Sequence, residues 1–216
     1  MSVPESASVY SSSFLRLGYD IWVLGVSNRF FWKAPSSRLQ RFFDANASNQ
    51  HLDVGVGTGR FLDRAKWPVE HPEITLLDVN PNSLHAAAHR IRRYSPKSLQ
   101  ADVFNPLPLP RAVYHSINLG YLLHCLPGNM EAKARVFANL KPHLHPDGVL
   151  FGSTILPDGC TGPGAKFMQI YNTKGIFSNA EDTEDGLRTA LAEHFSEISF
   201  DRIGQVALFT ARLPKA

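Results

Sequence analysis

The sequence has few cysteines, little net charge and no long apolar run. Its two cysteines, Cys125 and Cys160, do not form a Cys-x-x-Cys pair, which excludes a disulfide framework and a zinc finger. The 22 basic and 19 acidic side chains give a net charge of +3, which is too small to indicate a nucleic-acid or membrane partner. The richest apolar run, residues 21–26, is far shorter than the ~20 residues that a membrane span needs.

The first residues contain no basic side chain and no long apolar core, so we expect no signal peptide. Together with the sparse cysteines, this predicts a protein of the reducing cytoplasm. The hydrophobic fraction is 44% and the charged fraction 19% of 216 residues, which is typical of one folded domain, with room for a small appendage.

Residues 1–45 differ from the rest in composition, because they contain nine of the 23 aromatic side chains. Within this stretch the apolar residues between Tyr10 and Leu24 recur at spacings of three and four, which predicts an amphipathic helix. A second helix is predicted to begin near Ser36 and to end near Phe43. We therefore divide the chain into an N-terminal helical lid over a substrate pocket, residues 1–45, and a main domain, residues 46–216.

From residue 50 onward, short apolar strands alternate with helices, which predicts an α/β fold with a mostly parallel sheet. Two strand-like runs at the carboxyl terminus, separated at Gly204, predict an antiparallel hairpin at one edge. Two stretches are predicted as loops: residues 105–111, which contain three prolines, and residues 157–164, which are rich in glycine. The predicted strands are His51–Val56, Ile74–Val79, Leu99–Val103, Val113–Leu119, Gly148–Leu156, Ile198–Ile203 and Gln205–Leu213.

The most informative motif is a glycine loop between the first strand and the following helix, with Asp53 followed by Gly55, Gly57 and Gly59. Glycine allows a tight turn and lets a ligand approach the backbone. The helix that follows offers free N–H groups to a negatively charged group. Three alternate glycines are costly in conformational entropy, so a ligand-binding role is favoured over a plain turn.

Two kinds of ligand are compatible with such a loop. A nicotinamide dinucleotide fingerprint would place its third glycine at position 60, where this sequence has Arg60. The second predicted strand ends in Asp78, 23 residues after Gly55, and a carboxylate there can accept hydrogen bonds from both hydroxyls of a ribose. The spacing therefore speaks against a nicotinamide oxidoreductase and favours another ribose-containing cofactor.

Five segments in order resemble the class I S-adenosylmethionine-dependent methyltransferases, in their small-molecule branch. They are HLDVGVGTGRFL, LLDVNPNSL, LQADVFNPLPL, SINLGYLLHCLP and LHPDGVLFGSTIL, and together they extend over residues 51–156. The resemblance implies a doubly wound, Rossmann-like sheet of seven strands with an antiparallel last strand. It also implies S-adenosylmethionine as cofactor, held by Asp53, Gly55, Gly57, Gly59, Asp78, Val79, Asp102, Val103, Asn118 and Leu119.

Methyl transfer from a sulfonium requires alignment of the acceptor and exclusion of water, whereas a general base is optional. His124 is the candidate base, although a packing or orienting role is favoured for it. Tyr10, Tyr19 and Tyr171 are candidate pocket residues, each with a core role as the alternative. We predict no catalytic metal, because residues 116–121 contain no acidic side chain.

These observations predict a methyltransferase that acts on a small, hydrophobic or aromatic specialised metabolite, as a monomer or homodimer, without nucleic-acid or membrane partners. The aromatic-rich first 45 residues support an apolar pocket. The alternative is a cofactor-binding protein of the same fold that catalyses a cyclisation or isomerisation, because a fold alone does not determine function.

Overall fold

The computed structural model describes residues 31–215 and shows a seven-stranded sheet in the order β3-β2-β1-β4-β5-β7-β6. The strands are β1 Gln50–Val54, β2 Glu73–Asp78, β3 Lys97–Gln100, β4 Tyr114–Gly120, β5 Leu144–Ile155, β6 Phe195–Ile203 and β7 Val206–Pro214. The helices are α1 Ser36–Asn46, α2 Arg60–Arg64, α3 Pro81–Arg90, α4 Met130–Leu140, α5 Gly162–Thr173 and α6 Glu184–Ala192, with short 3-10 turns at Arg92–Tyr94, Leu123–Cys125 and Lys141–His143.

The sheet confirms the predicted topology. Strands β1 to β5 pair in parallel, and β7 runs antiparallel to both β5 and β6. The terminal hairpin turns at Gly204 and Gln205. Parallel strands align their carboxyl ends at one edge, so the segments that follow β1, β2 and β4 meet there.

Helices cover both faces of the sheet, as a doubly wound fold requires. Consecutive residues of β5 point to opposite faces, so Leu150 joins the core beneath α4 and α6, whereas Phe151 joins the core beneath α1, α2 and α3. Both side chains are almost completely buried. This two-sided burial explains why the central strands read as nearly continuous apolar runs.

Two element predictions were wrong. The third strand was expected over Leu99–Val103 but ends at Gln100. The residues after Gln100 do not continue the strand. They form a turn in which the Asp102 carboxylate accepts a hydrogen bond from the Phe104 N–H at 3.0 Å. The loop predicted over residues 157–164 ends early, because α5 begins at Gly162. Its Pro163 lies in the first turn, where a missing N–H costs nothing.

The helix predicted over Tyr10–Leu24 lies outside the described residues. The described part of the predicted lid joins the core: on α1 the Phe43 ring stacks on Phe61, with ring centroids 6.2 Å apart. Trp32 is buried, and its carbonyl accepts a hydrogen bond from the Gln205 N–H at 2.8 Å. Among residues 31–215, no helix is long and apolar enough to cross a membrane.

Candidate active site

The glycine loop connects β1 to α2 at the carboxyl edge of the sheet, and Gly55, Gly57 and Gly59 all have left-handed backbone conformations. At Gly59 helix α3 approaches so closely that an added Cβ would lie 3.0 Å from the Ala87 Cα. At Gly57 an added Cβ would meet nothing within 4 Å. The loop therefore packs tightly against α3 on one side and leaves open space above Gly57 on the other.

The carboxylate of Asp78 lies between the end of β2 and the glycine loop. It accepts a hydrogen bond from the Asn80 N–H at 2.9 Å, and the backbone N–H groups of Val56 and Gly57 also bind it. Burial raises the pKa of Asp78 to about 6, although these backbone hydrogen bonds oppose the shift. Three backbone donors thus fix this carboxylate at the rim of the open space.

A second carboxylate, Asp53, lies deeper in the same crevice. It pairs in register with Asn118 across strands β1 and β4, and the Asn118 Nδ2 donates to its Oδ1 at 2.6 Å. Both side chains are buried, with 5% and 6% of their surface exposed. The imidazole Nε2 of His51 lies 3.6 Å from the same Oδ1. This site therefore holds a buried carboxyl group with one short hydrogen bond.

The other predicted cofactor residues differ in their exposure and in their polar groups. Asp102 is exposed, and its Oδ2 accepts a hydrogen bond from Asn105 Nδ2 at 3.3 Å. Val79 is 39% exposed beside Asp78. In contrast, the side chains of Val103 and Leu119 are buried in the core.

The segment after β4 has an unusual backbone at Tyr121, whose φ is +58°. Its N–H donates to the Ser153 carbonyl at 2.8 Å and so fixes the chain above β5. The next side chain, Leu122, lies against the glycine loop, since a Cβ added at Gly55 would be 2.7 Å from its Cδ1. Left-handed non-glycine residues are strained and concentrate at functional sites.

His124 lies in the 3-10 turn that follows and is buried. Its Nδ1 accepts a hydrogen bond from the Ile155 N–H at 3.4 Å and lies 3.4 Å from the Thr154 Oγ1. Burial lowers its pKa to about 3, and the nearby charge of Lys133 acts in the same direction. His124 is therefore a neutral imidazole with Nδ1 already occupied, which favours an orienting role over that of a base.

A row of aromatic rings, here called the aromatic wall, extends from His124 toward the amino terminus of the described chain. Phe177 lies edge-on to His124 with ring centroids 4.5 Å apart, and Tyr171 lies 5.0 Å from Phe177. Phe167 continues the row to Phe31, whose ring centroid is 4.0 Å from its own. The members of the aromatic wall are Phe31, Tyr121, His124, Phe167, Tyr171 and Phe177.

A buried ion pair supports this wall. The ammonium of Lys133 on α4 donates to the Asp182 carboxylate at 2.6 Å and to the Ser178 carbonyl at 2.7 Å. The Ser178 N–H donates in turn to the His124 carbonyl at 2.8 Å. The loop that carries Phe177 is therefore fixed through the backbone of Ser178, which binds both Lys133 and His124.

The structure brings together Asp53, the glycine loop, Asp78 and Asn118, and it places Tyr171 in the aromatic wall. Tyr10 and Tyr19 lie outside the described residues. Sequence reasoning missed Leu122, Lys133 and His51. Of these three, only His51 could have been predicted from the sequence. It precedes Asp53 by two residues, and strand periodicity places both side chains on one face.

Comparison with known proteins agrees with this architecture. A family model described as "Methyltransferase domain" matches residues 52–150. The chain is 37% identical to demethylluteothin O-methyltransferase of Streptomyces thioluteus, over 97% of this chain and 91% of that protein. It is 39% identical to methyltransferase ctvB of Aspergillus terreus, over 100% of this chain and 97% of that protein.

Among solved structures, N-methyltransferase NodS from Bradyrhizobium japonicum WM9, in complex with S-adenosyl-l-homocysteine, shares the fold. It has a TM-score of 0.65 and 16% identity, and the match covers 98% of each chain. The antiparallel β7, inserted between β5 and β6, also distinguishes this sheet from the order 3-2-1-4-5-6 of dinucleotide-binding folds. By its motifs, its sheet and its relatives, the chain belongs to the class I S-adenosylmethionine-dependent methyltransferases.

Proposed function

We propose that this protein transfers the methyl group of S-adenosylmethionine to a hydroxyl oxygen of a small, apolar, aromatic specialised metabolite. The observation that carries the proposal is the aromatic wall, which lies beside the carboxyl ends of β4 and β5. Its members Phe31, Tyr121, Phe167 and Tyr171 are only half-buried, and the ring surface that they leave accessible favours flat, apolar ligands. A sugar, a peptide or a highly charged acceptor would find few partners along it.

The donors of the crevice fit the proposed cofactor. Asp78 can accept hydrogen bonds from two ribose hydroxyls, and the exposed Asp102 can accept from an adenine amino group. The buried Asp53 carboxylate suits a positively charged ammonium group. The space above Gly57, which a Cβ would enter, allows a ligand to contact the backbone.

When bound, the cofactor supplies a methyl group on a positively charged sulfur. The protein's own part is to hold the acceptor oxygen in line with that group and to keep water out. In this proposal the aromatic wall orients the acceptor ring. The Lys133–Asp182 ion pair keeps the wall in place, because it fixes the loop that carries Phe177.

The acceptor must lose its proton without a strong base from the described residues of the wall. His124 has a pKa of about 3 because it is buried, so it is a poor proton acceptor at neutral pH. A phenol or an enol conjugated with a carbonyl ionises more readily than an aliphatic alcohol. Acidic hydroxyls of this kind therefore suit the site, and the name of the Streptomyces relative, an O-methyltransferase, supports oxygen as the acceptor atom.

We also propose that the protein acts in the cytoplasm, as a monomer or homodimer, without nucleic-acid or membrane partners. The small net charge supports this, as does the low cysteine content. A chain whose binding surfaces are a crevice and an apolar wall needs no macromolecular partner for transfer to a small molecule.

The test is product analysis with S-adenosylmethionine labelled in its methyl group and a panel of phenols, enols, carboxylic acids and amines. We expect the label on the oxygen of aromatic phenols or enols. The Asp78→Asn variant should lose transfer. The Asp147→Asn variant, changed at an exposed carboxylate in the irregular first part of β5, should retain it. A product that is an isomer of its substrate and carries no label would favour the cyclase or isomerase alternative. Label confined to amines would overturn the choice of acceptor.

A further inference from the structure

His51 is a fully buried titratable residue that the proposed reaction does not use. It precedes Asp53 by two residues on β1, so the two side chains share one face of the strand. Aromatic rings of three other segments surround the imidazole: Trp67 at 5.3 Å, Phe43 of α1 at 5.4 Å and Phe151 of β5 at 6.1 Å between ring centroids. Burial of an ionisable ring among apolar groups is costly unless its polar atoms have partners.

The imidazole Nδ1 has such a partner. It lies 2.7 Å from the Ser116 Oγ of β4. That oxygen also accepts the Ser48 N–H at 2.9 Å and lies 2.8 Å from the Ser48 Oγ. The Ser116 hydroxyl can donate to Nδ1 or accept from it, so this hydrogen bond is compatible with a neutral and with a charged imidazole.

The imidazole Nε2 is different, because it is buried and makes no hydrogen bond. The Asp53 Oδ1 lies 3.6 Å away, along the same strand. A lone pair at Nε2 would face this carboxylate and be repelled, whereas a proton at Nε2 would be attracted. The contact with Asp53 therefore favours a proton on Nε2. It would stabilise a positively charged imidazole more than a neutral one.

We propose that His51 is a positioning residue whose protonation is linked to cofactor binding through Asp53. Without cofactor, a proton bound at His51 Nε2 partly offsets the negative charge of the nearby Asp53 carboxylate. When the cofactor's ammonium group takes its place beside Asp53, a charged His51 is repelled and the imidazole gives up its proton to solvent. This inference rests on the proposed function, in which Asp53 binds that ammonium group.

The direction of the pH effect follows from this competition. Each proton released on binding increases the affinity as the pH rises, by up to about tenfold per pH unit. Asp53 is the titratable group that faces the ring. Its other neighbours, Phe43 of α1, Trp67, Phe151 of β5 and Ser116 of β4, carry no charge. Asp78 also titrates near the cofactor site, so its contribution must be measured separately.

The experiment is calorimetric titration with S-adenosyl-l-homocysteine at about pH 6.5, where imidazole titrates, in two buffers with different enthalpies of ionisation. The difference in observed heat gives the number of protons released. The wild type is compared with His51→Gln, which keeps a neutral donor but cannot become charged. His115→Gln is the matched control, because His115 is a half-buried residue of β4 that lies on the opposite face of the strand from Ser116 and stacks on His145.

We expect the wild type and His115→Gln to release more protons than His51→Gln, whose remaining release reports Asp78. Equal release in all three proteins would overturn the inference while leaving the proposed cofactor intact. Failure of the wild type to bind S-adenosyl-l-homocysteine at any pH would overturn the proposed function and this inference with it.

If His51→Gln does not fold, the His51 ring can be followed by NMR in the wild type, with and without S-adenosyl-l-homocysteine. We expect the imidazole signals to shift toward those of the neutral ring when the ligand binds. Signals that report the same protonation state with and without ligand would overturn the inference.

Discussion

The carboxamide of Asn118 and the carboxylate of Asp53 form a 2.6 Å hydrogen bond at the junction of β1 and β4. The parallel register that pairs these two residues places the Asp53 carboxylate below the glycine loop. This carboxylate is buried, so its orientation depends on the few donors that reach it. Asn118 is the donor with the shortest contact among the described residues.

Replacement of Asn118 by Ala should weaken binding of S-adenosyl-l-homocysteine by about tenfold or more, because the Asp53 carboxylate would lose its orientation. Loss of a hydrogen bond to a charged group should also reduce the free energy of unfolding by ~1.5–3 kcal/mol. The control is Asn46→Ala on α1, which removes a side-chain amide hydrogen bond to the neutral carbonyl of Phe42 and should leave the affinity unchanged. An Asn118→Ala protein with unchanged affinity would show that Asp53 does not meet the ligand.

The glycine loop predicts opposite results at two neighbouring positions. Gly59→Ala should mainly reduce stability, because its Cβ would lie 3.0 Å from the backbone of α3. Gly57→Ala has space for its Cβ and should cost only the ~1–2 kcal/mol of a left-handed alanine. It should nevertheless weaken cofactor binding, since the Cβ would enter the crevice. Thermal unfolding and ligand titration of both variants separate the effect on stability from the effect on binding. Equal affinity in Gly57→Ala and the wild type would contradict the placement of the cofactor above Gly57.

Much of the fold follows from local patterns in the sequence. The alternation of strands and helices, the hairpin at Gly204 and the positions of Gly55 and Asp78 depend on short-range chemistry, namely hydrophobic periodicity and turn preference. These patterns also located the crevice, because parallel strands bring the ends of β1, β2 and β4 to one edge.

Other features depend on contacts between residues that are distant in sequence. Lys133 and Asp182 are 49 residues apart, and neither has a local pattern that indicates a buried ion pair. The start of helix α5 was predicted as a loop, because the glycines near it are typical of loops. The aromatic wall forms from three separate segments, and the sequence contains no sign of which rings meet.

We predict that turnover needs no divalent metal ion. Among residues 31–215, no group of three or more His, Cys, Asp or Glu side chains is placed to hold a metal ion. Methyl transfer from a sulfonium needs no Lewis acid to activate the leaving group. The rate should therefore be unchanged in an excess of chelator. Loss of activity that magnesium restores would show that turnover depends on a metal ion.

The amphipathic spacing between Tyr10 and Leu24 predicts a cover for the acceptor. Deletion of residues 1–26 should leave the affinity for S-adenosyl-l-homocysteine within a few-fold, because the cofactor residues lie in the main domain. It should abolish methyl transfer, because water would reach the acceptor. The measurement is binding and turnover of the same truncated protein. A folded truncation with near-normal turnover would contradict the lid.

The raised pKa of Asp78 has a consequence for stability. Burial raises this pKa from 3.8 to about 6, so the folded protein disfavours the charged form. Its contribution to stability is therefore largest below about pH 4 and is lost as the pH rises through 6. Asp78→Asn should raise the melting temperature of the cofactor-free protein at neutral pH, whereas Asp147→Asn should not. A lower melting temperature for Asp78→Asn would show that the charged carboxylate stabilises the fold.

We propose that the crevice between the glycine loop and Asp78 holds the cofactor. Calorimetric titration of the wild type and Asp78→Ala with S-adenosyl-l-homocysteine at neutral pH tests this placement. A carboxylate that accepts from two ribose hydroxyls contributes ~1.5–3 kcal/mol per hydrogen bond. We predict one site per chain in the wild type and at least tenfold weaker binding in a folded Asp78→Ala protein. Equal affinity in the two proteins would show that the cofactor does not bind at Asp78.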